Sequence, residues 1–302
     1  MLKIHQITPL ILGLLIYRVP IWAATSGYQI LTYPFSTRVA AMGGTFAADG
    51  TQRFQVLTNP ASVALSNGIQ GQAGTVRHLA GIQGFALGGM LPVEQHRFFG
   101  EAAYFNYGTF DKTDVNNNHL GTFGFDELYA GGGYATELFP HFAFGGRTGL
   151  YRQQADHKIE QKWISALGGM YHRRNDSLIV GAAIMNFGQK SGVNELPTMI
   201  VIGTSTKLQY LPARINIDGQ YNLQQQWKLA AGAEFFVNNN LTLRLGLNSN
   251  RFDLQTNVLR SDFIAGATAG MGLRVKNFLF ELALQSFGGA GIVQQMSAAI
   301  RL

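Results

Sequence analysis

The 302-residue sequence contains no cysteine. That excludes lipoprotein processing, disulfide stapling and thiolate metal centres together. Charge is scarce as well, at 13% of residues, against roughly 25% in an average globular domain. A soluble chain of this size would need more charge to cover its surface. Long apolar runs are also missing: none reaches the ~18 residues of a spanning helix, although 46% of the residues are hydrophobic. No G-x-x-x-x-G-K-[ST] loop is present, and "GGTFAADG" lacks the strand before and helix after that a phosphate loop needs. The seven His residues show no H-E-x-x-H or paired ligand spacing. His96, His119, His141 and His157 fall at strand ends or in loops, where surface polarity explains them. The formal charge of +6 is spread without a Lys/Arg run, which argues against a nucleic-acid partner.

What the sequence has is alternation. In "ARINIDGQYNL", the positions Ala213, Ile215, Ile217, Gly219, Tyr221 and Leu223 are apolar or small, while Arg214, Asn216, Asp218, Gln220 and Asn222 are polar. This is a strand with two opposite faces. A soluble sandwich or lipocalin-like barrel would bury the apolar face, whereas a membrane barrel would turn it to lipid. Scarce charge and the number of such strands favour the membrane solution. The same rule holds for Leu241, Leu243, Leu245 and Leu247, and for Phe278, Phe280, Leu282 and Leu284. About 14 strands are expected, each near the ~10 residues that cross a bilayer at a tilt. Their starts fall near Ile69, Ile82, Phe98, Phe125, Phe142, Lys162, Leu178, Met199, Ala213, Trp227, Leu241, Phe263, Phe278 and Val293. Polar loops such as "DKTDVNNNHLGTFG" and "QQADHKIEQ" alternate with tight connections such as "FP" and "VK". Short periplasmic turns and longer outer loops have this rhythm, so the expected location is the bacterial outer membrane with both termini periplasmic. The expected class is all-β: a transmembrane antiparallel β-barrel with a short N-terminal plug segment containing a small helix.

Lys3 and His5 precede an apolar stretch from Ile7 to Tyr17, and small residues follow at Ala23, Ala24, Thr25 and Ser26. Residues 1–24 therefore read as a signal peptide, although Arg18 interrupts the apolar part and Trp22 stands where a small residue is expected. Residues 25–67 read as the plug and 68–302 as the barrel. Within the plug, Asn59 suits an N-cap, Pro60 the first helical turn, and Ala61 to Leu65 a short helix ending near Asn67-Gly68. So short a helix must pack against something, and the lumen is the available place.

Arg38 with "AAMGG" (Ala40 to Gly44), then Asp49, then "NPASVAL" (Asn59 to Leu65) resembles the N-terminal signature of the PorV/PorQ family within the FadL-like outer-membrane barrels. "YFNYGTFDKTDVNNNHLGTFGFDELYAGGGYA", Tyr104 to Ala135, is similar to PorQ-type members. On this resemblance Arg38, Met42, Gly43, Gly44, Asp49, Asn59, Pro60 and Ala61 are the motif residues of the plug. It implies a 14-stranded barrel with an N-terminal segment folded inside, serving type IX secretion or surface attachment of cargo. The partners would be membrane lipid, secretion components and cargo proteins. The alternative is a FadL-like channel taking up a hydrophobic small molecule. Large extracellular insertions usual in FadL-like transporters are lacking, and Leu302 replaces the customary terminal aromatic.

Glu127, Arg147, Arg214, Asp218, Glu234, Arg244, Arg274, Glu281 and Arg301 fall on the polar parity and are expected to face the lumen. Two readings remain open for them: a solute-selecting pore lining, or an internally paired network that holds the plug. Buried charges demand partners, and Arg38, Asp49 and Arg53 could supply them. An outer-membrane enzyme would require a Ser/His pair at one rim. Nothing points to a pair, so the expectation is a non-enzymatic protein with no cofactor and no metal.

Overall fold

The computed structural model describes residues 28–116, 118–173, 176–189, 195–223, 226–252, 254 and 264–302. The expected signal peptide, 1–24, lies outside them, as does the expected strand start at Phe263. Fourteen antiparallel strands follow one another around a closed barrel. They are β1 (Gln70–Arg77), β2 (Gln83–Val93), β3 (His96–Thr113), β4 (His119–Phe139), β5 (Phe142–Ala155), β6 (Lys158–His172) and β7 (Leu178–Gly188). The second half comprises β8 (Met199–Lys207), β9 (Ala213–Asn222), β10 (Gln226–Phe236), β11 (Leu241–Asn248), β12 (Ala267–Val275), β13 (Phe278–Ser286) and β14 (Ile292–Arg301). β1 closes the ring on β14, with Gln70 opposite Arg301 and Arg77 opposite Gln294. Closure pairs every strand edge, which a hydrocarbon environment requires.

The opening alternation resolves strand by strand. On β9, Arg214, Asn216, Asp218 and Gln220 are buried while Ile215 and Ile217 are exposed. On β11, Leu243, Leu245 and Leu247 are exposed around a buried Arg244, and on β13 Phe278, Phe280 and Leu284 flank a buried Glu281. The exposed face is thus the apolar one, the reverse of a soluble protein. Exposed aromatics gather at both ends of this face: Phe98, Tyr134, Phe142, Tyr171 and Phe278 at one, Phe85, Tyr104, Trp163 and Trp227 at the other. Such paired girdles mark the two interfaces of a bilayer.

The two ends of the barrel differ. The end that carries Leu302 has the two-residue turns Glu94-Gln95, Pro140-His141 and Lys276-Asn277, and is called the turn end. At the opposite end β3 to β6 run beyond the neighbouring strands as a paired ribbon. Two expected loops are corrected here. "DKTDVNNNHLGTFG" is mostly strand, since β3 continues to Thr113 and β4 starts at His119 instead of Phe125. "QQADHKIEQ" shrinks to the turn Asp156-His157, with β6 starting at Lys158 instead of Lys162. Above the rim both faces of a hairpin meet water, so polar residues pair without the alternation that lipid imposes. Phe110 and Phe123 stack across this ribbon at 5.7 Å, and a bulge at Tyr107-Gly108 marks where it leaves the wall.

Residues 28–67 run inside the barrel. They form two short α-helices, α1 (Gln29–Thr32) and α2 (Thr37–Ala41), and a 3-10 helix, Pro60–Leu65. The single small helix expected from sequence is this last one, wound more tightly than an α-helix. Asn59 caps it by accepting from the Ala61 N–H at 3.0 Å. α2 is capped by the Ser36 hydroxyl, which accepts from the Val39 N–H. All three are too short to persist alone; the wall holds them. The expectation of a periplasmic N-terminus concerns residues outside those described. The first described residue, Tyr28, packs beside Tyr151 on β5 and under Lys162 on β6, at the ribbon end, opposite Leu302.

Candidate functional site

The candidate site is the lumen and the segment that fills it. The segment lies in a track of wall glycines. Gly270 on β12 faces Ala41, Gly246 on β11 faces Met42 and Gly43, and Gly232 on β10 faces Met42. The track continues with Gly181 on β7 against Ala47, Gly168 on β6 against Asn59, and Gly145 on β5 against Pro60 and Ala61. A Cβ at any of these would overlap the segment, mostly its backbone. Strand glycines of this kind mark close approach of a second backbone. Gly43 contributes from the segment's side: its φ is +71°, and a Cβ there would strike the Leu247 and Ala231 carbonyls. Gly131 and Gly133 have another cause, since their space is taken by Tyr129 and Phe99 of the wall.

Charge pairing reinforces this seat. Arg38 at the core of α2 reaches Asp49 at 3.1 Å and the wall residue Glu234 at 3.1 Å, and all three are buried. Glu234 also pairs with Arg244 at 2.8 Å, and Arg244 with Glu281 at 2.8 Å. Burial opposes the Arg38 charge, but Asp49 and Glu234 outweigh it and hold the guanidinium above the ordinary arginine range. A second group lies across the lumen: Arg147 pairs with Glu101 at 3.3 Å and donates to the Thr58 carbonyl at 2.8 Å. The other Glu101 oxygen accepts from the Leu57 N–H at 2.8 Å.

Two further inward carboxylates bind the backbone of the segment. Asp218 accepts from the Phe46 and Ala47 N–H groups at 2.6 and 2.8 Å. Glu127 accepts from the Ile30 N–H at 3.0 Å and from the Tyr107 and Tyr151 hydroxyls at 2.7 Å each. Thr268 both accepts from the Gly43 N–H and donates to the Ala41 carbonyl, each at 2.9 Å. Asn59 donates to the Ala47 carbonyl at 2.7 Å, tying two parts of the segment together. Arg214 donates to Ser205 at 2.8 Å and crowds Gly50.

Among the sequence-derived candidates, then, Arg38, Asp49, Glu234, Arg244 and Glu281 meet in one network, while Arg147, Asp218, Glu127 and Asn59 bind the segment elsewhere. Arg274 and Arg301 stand apart, exposed at the turn end. Other participants were missed, Glu101 and Thr268 among them. Glu101 sits on β3 between inward Phe99, Ala103 and Phe105, so both faces of that strand look apolar and parity carries no signal. Lys228 follows the polar parity of β10, but nothing in sequence shows that it lines a cavity.

That cavity measures about 30 Å³ and lies between α1 and the wall, lined by apolar Leu31, Val39, Val56, Met185 and Met199 together with Gln220 and Lys228. It has room for water and falls far short of the ~150 Å³ that accommodates benzene in an engineered protein interior. An aromatic cluster lies beside it at the ribbon-end mouth. Tyr33, Phe35 and Phe105 pack at 4.9 to 5.3 Å, and His78 stands 5.7 Å from Tyr33 and 5.5 Å from Phe287. Among the described residues no set of His and carboxylate groups could hold a metal ion.

No family model matches the chain, and no curated protein matches it. Solved structures do. A deltaS2 mutant of the TodX monoaromatic hydrocarbon channel is similar with a TM-score of 0.62 at 14% identity, over 90% of this chain and 98% of that one. The CymD monoaromatic hydrocarbon channel gives 0.64 at 11%, over 89% and 97%. A FadL homologue from Pseudomonas aeruginosa gives 0.58 at 11%, over 88% and 98%. At such identities the likeness speaks for architecture alone: this chain has the fold of the FadL-like barrels, with 14 antiparallel strands closed in sequence order.

Proposed function

We propose that the chain is an outer-membrane channel for hydrophobic small molecules, held shut in this conformation by residues 28–67 acting as a plug. The observation that carries this reading is the seating of the plug: wall glycines accept its backbone and wall charges bind it along the lumen. Glu101, Glu127, Arg147, Asp218 and Glu234 are thereby committed to the plug, which favours a plug-holding network over an ion-selective lining. The aromatic cluster of Tyr33, Phe35 and Phe105 at the mouth suits an apolar solute, and the fold likeness to TodX and CymD, named as monoaromatic hydrocarbon channels, supports the same class. Passage then requires the plug to shift. The type IX secretion reading rests on the motif resemblance of Arg38 to Leu65 and Tyr104 to Ala135 alone, and nothing in the comparisons adds to it.

The test is uptake. Cells carrying the inserted barrel should accumulate a radiolabelled monoaromatic compound at low concentration faster, and saturably, than cells with the empty vector. Deleting Thr37 to Leu65 should leave an inserted barrel with a large nonselective conductance in planar bilayers, while the intact protein conducts little. Uptake equal to the empty-vector control, with insertion verified, would overturn the channel reading.

A further inference from the structure

Three arginines lie at the turn-end mouth: the residues flanking Arg53 are held by the Gln70 side chain, which accepts from the Phe54 N–H at 2.8 Å and donates to the Gln52 carbonyl at 3.2 Å, and Gln70 stands opposite Arg301 in the β1–β14 pairing. Arg53 belongs to the plug and is partly buried; Arg274 on β12 and Arg301 on β14 come from the wall and are exposed. Both wall residues share the inward parity, on strands separated only by β13. Arg53 feels the charges of Arg274, Arg244 and Arg301, with Glu281 opposing. Glu281 is already engaged by Arg244 at 2.8 Å. Among the described residues Arg53, Arg274 and Arg301 form no hydrogen bond or ion pair through their guanidinium groups. Burial and the neighbouring guanidiniums hold Arg53 below the ordinary arginine range.

The charge balance indicates what is missing. The network above this mouth holds Arg38 and Arg244 against Asp49, Glu234 and Glu281, a net charge of −1 (two positive, three negative). Adding Arg53, Arg274 and Arg301 turns this into +2. A divalent oxyanion would neutralise it, and planar guanidinium forks match phosphate oxygens in pairs. Since one arginine rides on the plug and two on the wall, such an anion would also bridge the moving part to the fixed one.

We propose that Arg53, Arg274 and Arg301 form a binding site for a phosphate-class oxyanion at the turn-end mouth, and that the bound anion latches the plug to the wall. The anion is either free phosphate or the headgroup of an anionic phospholipid at the adjacent interface. In both cases the recognised group is the same.

The test uses the full chain, purified in a neutral detergent at constant ionic strength. Calorimetric titration with inorganic phosphate should show saturable binding that chloride does not reproduce. In a parallel arm, protein in phosphatidylglycerol nanodiscs is compared with protein in phosphatidylcholine nanodiscs by hydrogen exchange over residues 50–56. Occupancy should slow that exchange at least tenfold, with inorganic phosphate or with phosphatidylglycerol, and the arm that responds identifies the source. The double variant R274Q/R301Q should lose the response at least tenfold, whereas R77Q, at the opposite end of β1, should retain it. R53Q serves as a second variant that leaves the wall intact and should lose the response equally. Equal responses in wild type and R274Q/R301Q, or no response in either arm, would overturn the proposal.

Discussion

Arg38 holds two carboxylates at once, one on its own segment and one on the wall. Removing one partner of a buried ion pair costs about 3–5 kcal/mol because a charge is left uncompensated. Arg38→Met is therefore expected to release the plug without preventing barrel assembly, seen as a steady conductance in planar bilayers and as faster hydrogen exchange over residues 38–50. Adding Asp49→Leu should restore much of the protection, because an apolar pair replaces the ionic one. A closed trace and unchanged exchange in Arg38→Met would show that the pair does not hold the plug. Asn59 combines two jobs, capping the 3-10 helix and donating to the Ala47 carbonyl. A lost cap costs about 1 kcal/mol and an orphaned buried acceptor about as much again. Asn59→Ala should thus destabilise plug docking by about 2 kcal/mol. Asn59→Asp keeps the cap acceptor but loses the donor and should fall between, by the same exchange measurement.

At the scale of a strand, neighbouring positions on β11 separate lipid from plug. Leu245 is exposed on the apolar face, and replacing it with Arg should impair insertion by roughly 2–4 kcal/mol if it lies near the bilayer midplane. Gly246 faces the other way, against the backbone of Met42 and Gly43. Gly246→Ala should leave a heat-resistant, inserted barrel whose plug no longer seats, so conductance rises while folding yield stays constant. Equal insertion defects from both changes would contradict this division of faces. Strands of this kind are legible in sequence because each crosses between two solvents, lipid and lumen, and β9 writes both in alternate residues. Phe142, Leu178, Met199, Ala213, Leu241 and Phe278 are strand starts on which sequence and structure agree. The ribbon formed by β3 and β4 is not legible, because water on both faces removes the alternation. Nor does local pattern reveal that Arg38 meets Glu234, 196 residues away, or that Gly168 lies against Asn59. Those depend on how the closed ring places distant strands around one chain segment.

For the whole molecule, orientation can be read with cysteines, since the chain has none of its own. Introduced at Asn116 in the ribbon tip and at His157 in the β5–β6 turn, they should react with a membrane-impermeant maleimide on intact cells. Cysteines at Asn239 and Lys276, in turn-end connections, should stay unlabelled until the outer membrane is permeabilised. Labelling of Asn239 on intact cells would invert the assigned sides. The position of Tyr28 at the ribbon end bears on assembly. The plug threads the lumen lengthwise, yet its partners Asp218, Glu234 and Thr268 are made 171 to 227 residues later along the chain. The plug cannot find its seat until β9 to β12 are in place, and after β1 meets β14 it can no longer enter sideways. Closing the ring around a segment already drawn inside would make joining β1 to β14 the step that commits the chain to its closed form, and a plug that still docks when residues 28–67 are supplied to a preclosed barrel would overturn that order.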